Sequence, residues 1–265
     1  MNLTKRNLLI LSFVFLLITP SFVILAQNEG TQQDQPTIVA TVNESEITGQ
    51  ELWQATQLGQ VFQTCMMSVR GQCQQCGFPQ RFVQFLYGEE QGKKFRLDYK
   101  MYVLDSLIDR ELQSQKIEDM GITASEEEVE KTVDQQIKST IESNKKYETE
   151  EDLKKAYESQ GNQSYEAAKD NLRKQVKQSI LHNKLREKIT SGVQVTEKEM
   201  KTFYEENKES YKEDGTIKPF EEVKDQVKNT VLQQKKNQAW NKWLQEVKEE
   251  ANIEKNSEAV ETLGM

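Results

Sequence analysis

The sequence predicts a mainly α protein, an extended body of helical hairpins and arms, and three observations carry that prediction. Helix-breaking residues are scarce and well placed. No proline lies between Pro79 and Pro219, and from Lys93 to Asp214 the only glycines are Gly121, Gly161 and Gly192. Each follows a helical pattern and precedes a new start, the position of a C-terminal cap. Four capping boxes, a Ser or Thr with an acid three residues on, mark starts at Thr48/Glu51, Ser125/Glu128, Thr149/Asp152 and Thr196/Glu199. Between starts and stops, apolar residues recur at helical spacing in narrow stripes.

Taken in order, Lys5 and Arg6 precede an apolar run from Leu8 to Ala26. A basic start, an apolar middle and Ile24/Ala26 at the recognition positions define residues 1–26 as a secretory signal cleaved after Ala26. An uncleaved membrane anchor is the alternative, because the run approaches the ~20 residues that span a bilayer. No cysteine sits near Ala26 for lipid attachment. Residues 27–36 are polar and glutamine-rich, a flexible linker. Thr37–Val42 is β-branched and reads as a strand leading into the Thr48 helix. Ala251–Glu254 reads as a second strand, and a small two-stranded pairing of residues 37–43 with 251–254 would bring the two ends of the body together.

The helical stripes follow. Val103 and Leu107 run beside Leu104, Ile108 and Leu112. Val129, Val133, Ile137 and Ile141 repeat every four residues. Leu172, Val176 and Ile180 continue to Leu181, Leu185 and Ile189. Val223, Val227 and Val231 lead to Trp240, Trp243, Leu244 and Val247. The body spans residues 37–254, interrupted by an unusual cysteine-containing segment at about 64–79. Residues 255–265 lack periodicity and read as a disordered tail.

Composition narrows function. The 265 residues carry 35 basic and 43 acidic side chains, a net charge of −8, which opposes nucleic-acid binding. Only 35% of residues are apolar, which disfavours one thick core. The single histidine, His182, lies in a helix beside an apolar stripe and reads as a core-edge or solvated residue. No carboxylate pair stands out, no glycine-rich phosphate loop is present, and no catalytic, cofactor or metal site is expected.

Several segments resemble the SurA-type periplasmic chaperones and PrsA-type extracytoplasmic foldases. These are Ile38–Asn43 with Glu46-Ile47-Thr48 and Glu51-Leu52; Val103–Leu112 ending at Met120-Gly121-Ile122; Val195–Met200 with Phe203-Tyr204 and Asn207; and Lys218–Val223 running through Trp243-Leu244 to Ile253. They cover most of residues 37–254 in family order. In the foldases, a parvulin prolyl-isomerase domain of roughly a hundred residues sits between the Phe-Tyr helix and the Lys-Pro-Phe segment. Here only Lys212–Ile217 separates them, too short for a folded domain, and the paired histidines of parvulin sites have no counterpart. The resemblance therefore implies a family chaperone without the isomerase domain, and not an enzyme.

The expected function is an ATP-independent extracytoplasmic holdase whose partners are unfolded or newly exported polypeptides. Phe82, Phe85, Tyr87, Phe95, Tyr147, Tyr157 and Tyr165 are candidates for its apolar cradle. A structural or adaptor protein of the envelope, holding one folded partner on the same arms, is the alternative. Cys65, Cys73 and Cys76 are disulfide candidates, Cys65 with Cys73 or Cys76. Unpaired or intermolecular thiols, a redox-active Cys73-x-x-Cys76 pair and a three-thiolate zinc site remain open.

Overall fold

A computed structural model describes residues 36–59, 85–144, 146–159, 164–213 and 215–263. The expected signal or anchor, most of the 27–36 linker and the three cysteines lie outside the described residues. The chain divides into two compact units, residues 122–183 and a larger unit built from 33–121 and 184–265. The architecture is mainly α with a small antiparallel sheet, as the sequence predicts.

The larger unit is organised by β1 (Ile38–Val42), the central strand of a three-stranded antiparallel sheet. On one side it pairs with β2 (Ser45–Thr48), through a turn in which Asn43 takes φ 56°, a conformation Asn tolerates better than most residues. The β1–β2 register slips between Ile38 and Ala40. On the other side, β5 (Ile253–Lys255) pairs Val42 with Ile253 and Ala40 with Lys255, the end-to-end closure expected. The second strand of the hairpin escapes sequence analysis because Asn43-Glu44-Ser45-Glu46 is short and polar.

Behind the sheet lie α1 (Gly49–Thr56) and the long α2 (Glu90–Asp119). Thr48 and Glu51 form a reciprocal capping box, the Thr48 hydroxyl accepting from the Glu51 N–H at 3.2 Å. Val39, Val42, Ile47 and Leu52 pack with Leu104, Ile108 and Leu112 of α2 and with Val247. The stripe on α2 is thus the face turned to the sheet, and Val103 and Leu107 flank it half-buried. The chain does not trail off after the sheet. Residues Ser257–Thr262 form a further helix, α8, capped by Asn256, whose side chain accepts from the Ala259 N–H at 3.0 Å. Val260 is fully buried in the same core. The expected disorder of residues 255–265 is therefore corrected for 255–263: one apolar residue and one strand pairing order a segment too short to show a period.

A second core in this unit joins α6 (Glu197–Glu206) to the first half of α7 (Phe220–Glu250). Met200, Tyr204, Tyr211, Val223, Val227 and Val231 form it. Between them a hairpin of β3 (Lys212–Glu213) and β4 (Thr216–Ile217) turns at Gly215, where φ is 84°. The Tyr204 hydroxyl donates to the Lys218 carbonyl at 2.7 Å, tying helix to hairpin.

The smaller unit contains α3 (Glu126–Ser143), α4 (Glu150–Ser159) and the first part of α5 (Tyr165–Thr190). Val129, Val133 and Ile137 of α3 meet Val176 of α5, with Leu172, Ile180, Ile141 and Leu153 half-buried around them. Arg173 reaches from α5 to Glu130 of α3 (Nε to Oε1, 2.6 Å) and also pairs with Asp170. The boxes at Ser125/Glu128 and Thr149/Asp152 form as expected. Gly121 caps α2 with φ 61°, whereas Gly192 is not left-handed. There α5 ends in a turn, the Val193 N–H donating to the Thr190 carbonyl.

Two outcomes follow from this packing. Leu104→Ala, at a fully buried position, is expected to cost about 3 kcal/mol, measured by urea unfolding with an unchanged m value. Glu199 accepts from Lys235 and from the Thr196 N–H, which together hold its carboxyl down to about 2 from an ordinary 4.5. A depressed carboxylate stabilises the fold above its unfolded value and loses that contribution as the pH falls through 4.5 toward 2. The stability advantage of the native chain over Glu199→Gln should therefore shrink across that window and stay flat above it.

Candidate functional site

The large apolar side chains left exposed among the described residues sit together in sequence: Phe85 (37% exposed), Phe95 (51%) and Tyr102 (69%). Phe95 and Tyr102 are seven residues apart on α2, two turns along one face, opposite the Leu104/Ile108/Leu112 stripe that faces the core. A helix anchored along one face thus offers aromatic surface on the other. Lys93 and Lys94 are exposed beside Phe95.

Several contacts hold this region in place. The helical residues Phe85 and Leu86 lie directly on α2 at Gly92, where an added Cβ would fall 1.7 Å from the Phe85 carbonyl oxygen. Only glycine permits that approach. The Tyr99 hydroxyl donates to the Thr56 carbonyl at 3.1 Å, joining α2 to the end of α1. Arg96, only 8% exposed, lies under the Tyr87 ring with its guanidinium carbon 4.2 Å from the ring centroid.

One turn further on, Lys100 is 4% exposed and donates to three carbonyls at the end of the chain. These are Val260 (3.0 Å), Glu261 (3.3 Å) and Leu263 (2.6 Å). A cation at a helix C-terminus meets the negative end of the helix dipole and satisfies carbonyls that have no partner within the helix. Burial pushes the Lys100 ammonium below the ordinary lysine value; Arg96 adds to that shift and Glu261 opposes it.

A second aromatic group lies on α7. Trp240 and Trp243 are half-buried with ring centroids 4.8 Å apart. Arg186 of α5 sits 5.7 Å over Trp240 and hydrogen-bonds Asn237. Tyr204, Tyr211 and Phe220, by contrast, are packed ring to ring around the second core and offer little surface.

The predicted cradle residues therefore separate. Phe85 and Phe95 are exposed, while Tyr87, Tyr147 and Tyr157 are half-buried. Tyr165 is buried in the smaller unit, stacking edge-on with Tyr157 and donating to Glu150 at 3.0 Å. Its position inside the fold removes it from the surface. Phe82 and the disulfide candidates Cys65, Cys73 and Cys76 lie outside the described residues. Sequence analysis misses Tyr102, although its spacing of seven from Phe95 and its place opposite the Leu104 stripe are visible in the sequence. His182 is half-buried on α5. Among the described residues no group of three or more His, Cys, Asp or Glu is placed to hold a metal ion, and no helix is long and apolar enough to cross a membrane.

The larger unit is thus a mainly α fold closed by a small sheet, with aromatic surface on a helix packed from behind. Residues 1–186 match the SurA-like N-terminal domain, and the chain belongs to that family. Residues 195–263 match the PPIC-type PPIASE domain. Over 134 residues the chain is 28% identical to the foldase protein PrsA of Clostridium botulinum, an alignment covering 48% of this chain and 37% of that protein. The chain thus spans little more than a third of that curated relative. Its fold is similar to a chain from the work on PEB4 and Cj1289, described as structurally related SurA-like chaperones of Campylobacter jejuni. The TM-score is 0.53 at 15% identity, covering 83% of this chain and 99% of the other.

These matches correct one expectation from the sequence. The chain was expected to lack the isomerase domain and not to be an enzyme; the PPIC-type match at 195–263 and the foldase relative overturn both. The matched residues are α6, the β3–β4 hairpin, α7, β5 and α8. The length of the Lys212–Ile217 gap tests only for a domain inserted there, and it is blind to a match that runs through the flanking helices themselves.

Lys100→Met leaves three carbonyls without their donor. Urea unfolding should show a loss of roughly 1–3 kcal/mol, and amide exchange in 257–262 should accelerate ahead of that in α2.

Proposed function

We propose that the chain is an extracytoplasmic, ATP-independent chaperone that holds unfolded or newly exported polypeptides on apolar surfaces of its helices. Membership of the SurA-like family supports the chaperone role, and the observation that carries the binding surface is the exposed Phe95/Tyr102 face on a helix anchored from behind. Exposed aromatic area meets unfolded chains without a shaped pocket, and the charge of −8 keeps such a surface soluble. Export through residues 1–26 is part of the same proposal, in keeping with the extracytoplasmic setting of its relatives.

The experiment is light scattering of a chemically unfolded, aggregation-prone protein diluted into the purified 27–265 chain without nucleotide. Suppression near stoichiometric ratios is expected, and none with an equally acidic control. The double variant Phe95→Ser/Tyr102→Ser should lose at least half of that suppression while its unfolding temperature stays within about 2 °C, because solvent-facing positions contribute little to stability. No suppression by the native chain at any excess would sink the proposal.

The PPIC-type match at 195–263 favours a second activity, peptidyl-prolyl cis/trans isomerisation. A proline-limited refolding assay tests it directly. Acceleration that survives Phe95→Ser/Tyr102→Ser would separate that activity from holding.

A further inference from the structure

Among the described residues, Arg96 is a buried cation with one guanidinium nitrogen that no hydrogen bond satisfies. It is 8% exposed, its Nη1 is fully shielded, and that atom has no hydrogen-bond partner. The Tyr87 ring lies against the guanidinium and offers a π face but no counter-charge. Lys100, four residues on and on the same side of α2, is a second buried cation, and its protons are fully occupied by the carbonyls of Val260, Glu261 and Leu263. Two cations are therefore held one turn apart. Among the described residues, backbone carbonyls answer one, while the Nη1 of the other has no hydrogen-bond partner.

Burying an unpaired guanidinium is costly, and buried charges in folded proteins are paired. Residues 60–84 contain no Asp or Glu at all. The exposed neighbours are the aromatic Phe85 and Phe95 with charges of both signs, Lys93 and Lys94 beside Glu89, Glu90 and Asp98. Guanidinium matches a carboxylate in shape, charge and donor geometry.

We propose that Arg96 is a receptor for a carboxylate carried by a polypeptide client, so that the segments held on the Phe95/Tyr102 face are apolar stretches flanked by Asp or Glu. The inference rests on the chaperone proposal above and adds the chemistry of the preferred client. The carboxylate takes up the unpaired Nη1 as the half-buried Tyr87 side chain moves aside.

The test uses the full chain and two fluorescein-labelled peptides with one apolar centre, flanked in one by glutamates and in the other by glutamines. Fluorescence anisotropy should show the glutamate peptide binding the native chain roughly tenfold or more tighter. Arg96→Met should erase the difference, and Arg96→Lys should keep part of it. Equal binding of both peptides to the native chain, or discrimination that persists in Arg96→Met, overturns the proposal. Thermal unfolding supplies a readout that needs no client. Arg96→Met should raise the unfolding temperature of the free protein by removing an unanswered charge, and sodium acetate against sodium chloride at equal ionic strength should raise it in the native chain alone. A drop on Arg96→Met would mean that the fold already pairs the guanidinium, and would also overturn the proposal. If neither peptide binds, the client-carboxylate proposal falls whatever acetate does, and the chaperone proposal is judged separately by the light-scattering experiment.

Discussion

The larger unit depends on closing the chain on itself. Strand β1 has no stable existence alone; it becomes central only because β5, from the far end of the sequence, pairs with its open side. The Asn43 side chain accepts from the Asn252 N–H across a sequence separation of 209, and the Asn43 N–H donates to the Asn252 carbonyl. Such a contact is entropically expensive to form. Several features reward it at once: the ladder, Val260 in the core, and the Lys100 ammonium gathering the last carbonyls of α8. Because Lys100 stands on α2, the same closure fixes the helix that carries Phe95 and Tyr102.

That arrangement explains how an aromatic surface is presented without collapsing. A helix with one apolar stripe buries it and exposes the rest. Here α2 commits Leu104, Ile108 and Leu112 to the sheet, and Phe95 and Tyr102 on its opposite face stay exposed. The Gly92 contact and the Tyr99–Thr56 hydrogen bond fix the N-terminal half of the helix, where otherwise an end would fray. Rigidity on one face and aromatic exposure on the other are two results of the same packing.

The smaller unit follows a different economy. Its core consists of a few valines and isoleucines between α3 and α5, reinforced by the Arg173–Glu130 pair, and α4 contributes no buried residue. Its helix starts rely on capping boxes whose acids also favour the positive end of each helix dipole. Much of its order is therefore local, whereas that of the larger unit is long-range.

The sequence by itself determined the helices, their starts and the face each would bury, because capping and 3.6-residue periodicity are local properties. Thr48, Ser125, Thr149 and Thr196 each open a helix as their neighbours dictate, and every stripe from Leu104 to Val247 has at least one member in a core. The tertiary structure decided what a stripe cannot carry: which element covers it and which residues are left over. Tyr165 and Tyr102 look alike in sequence, yet one is buried against Glu150 and the other stands in solvent. Arg96 and Lys100 are charges within a helix, yet both are buried, because Tyr87 and the end of the chain come to rest on them. Nothing local encodes that arrival, and neither the ordered segment after Lys255 nor the PPIC-type match through α6 and α7 shows in a period or a gap length.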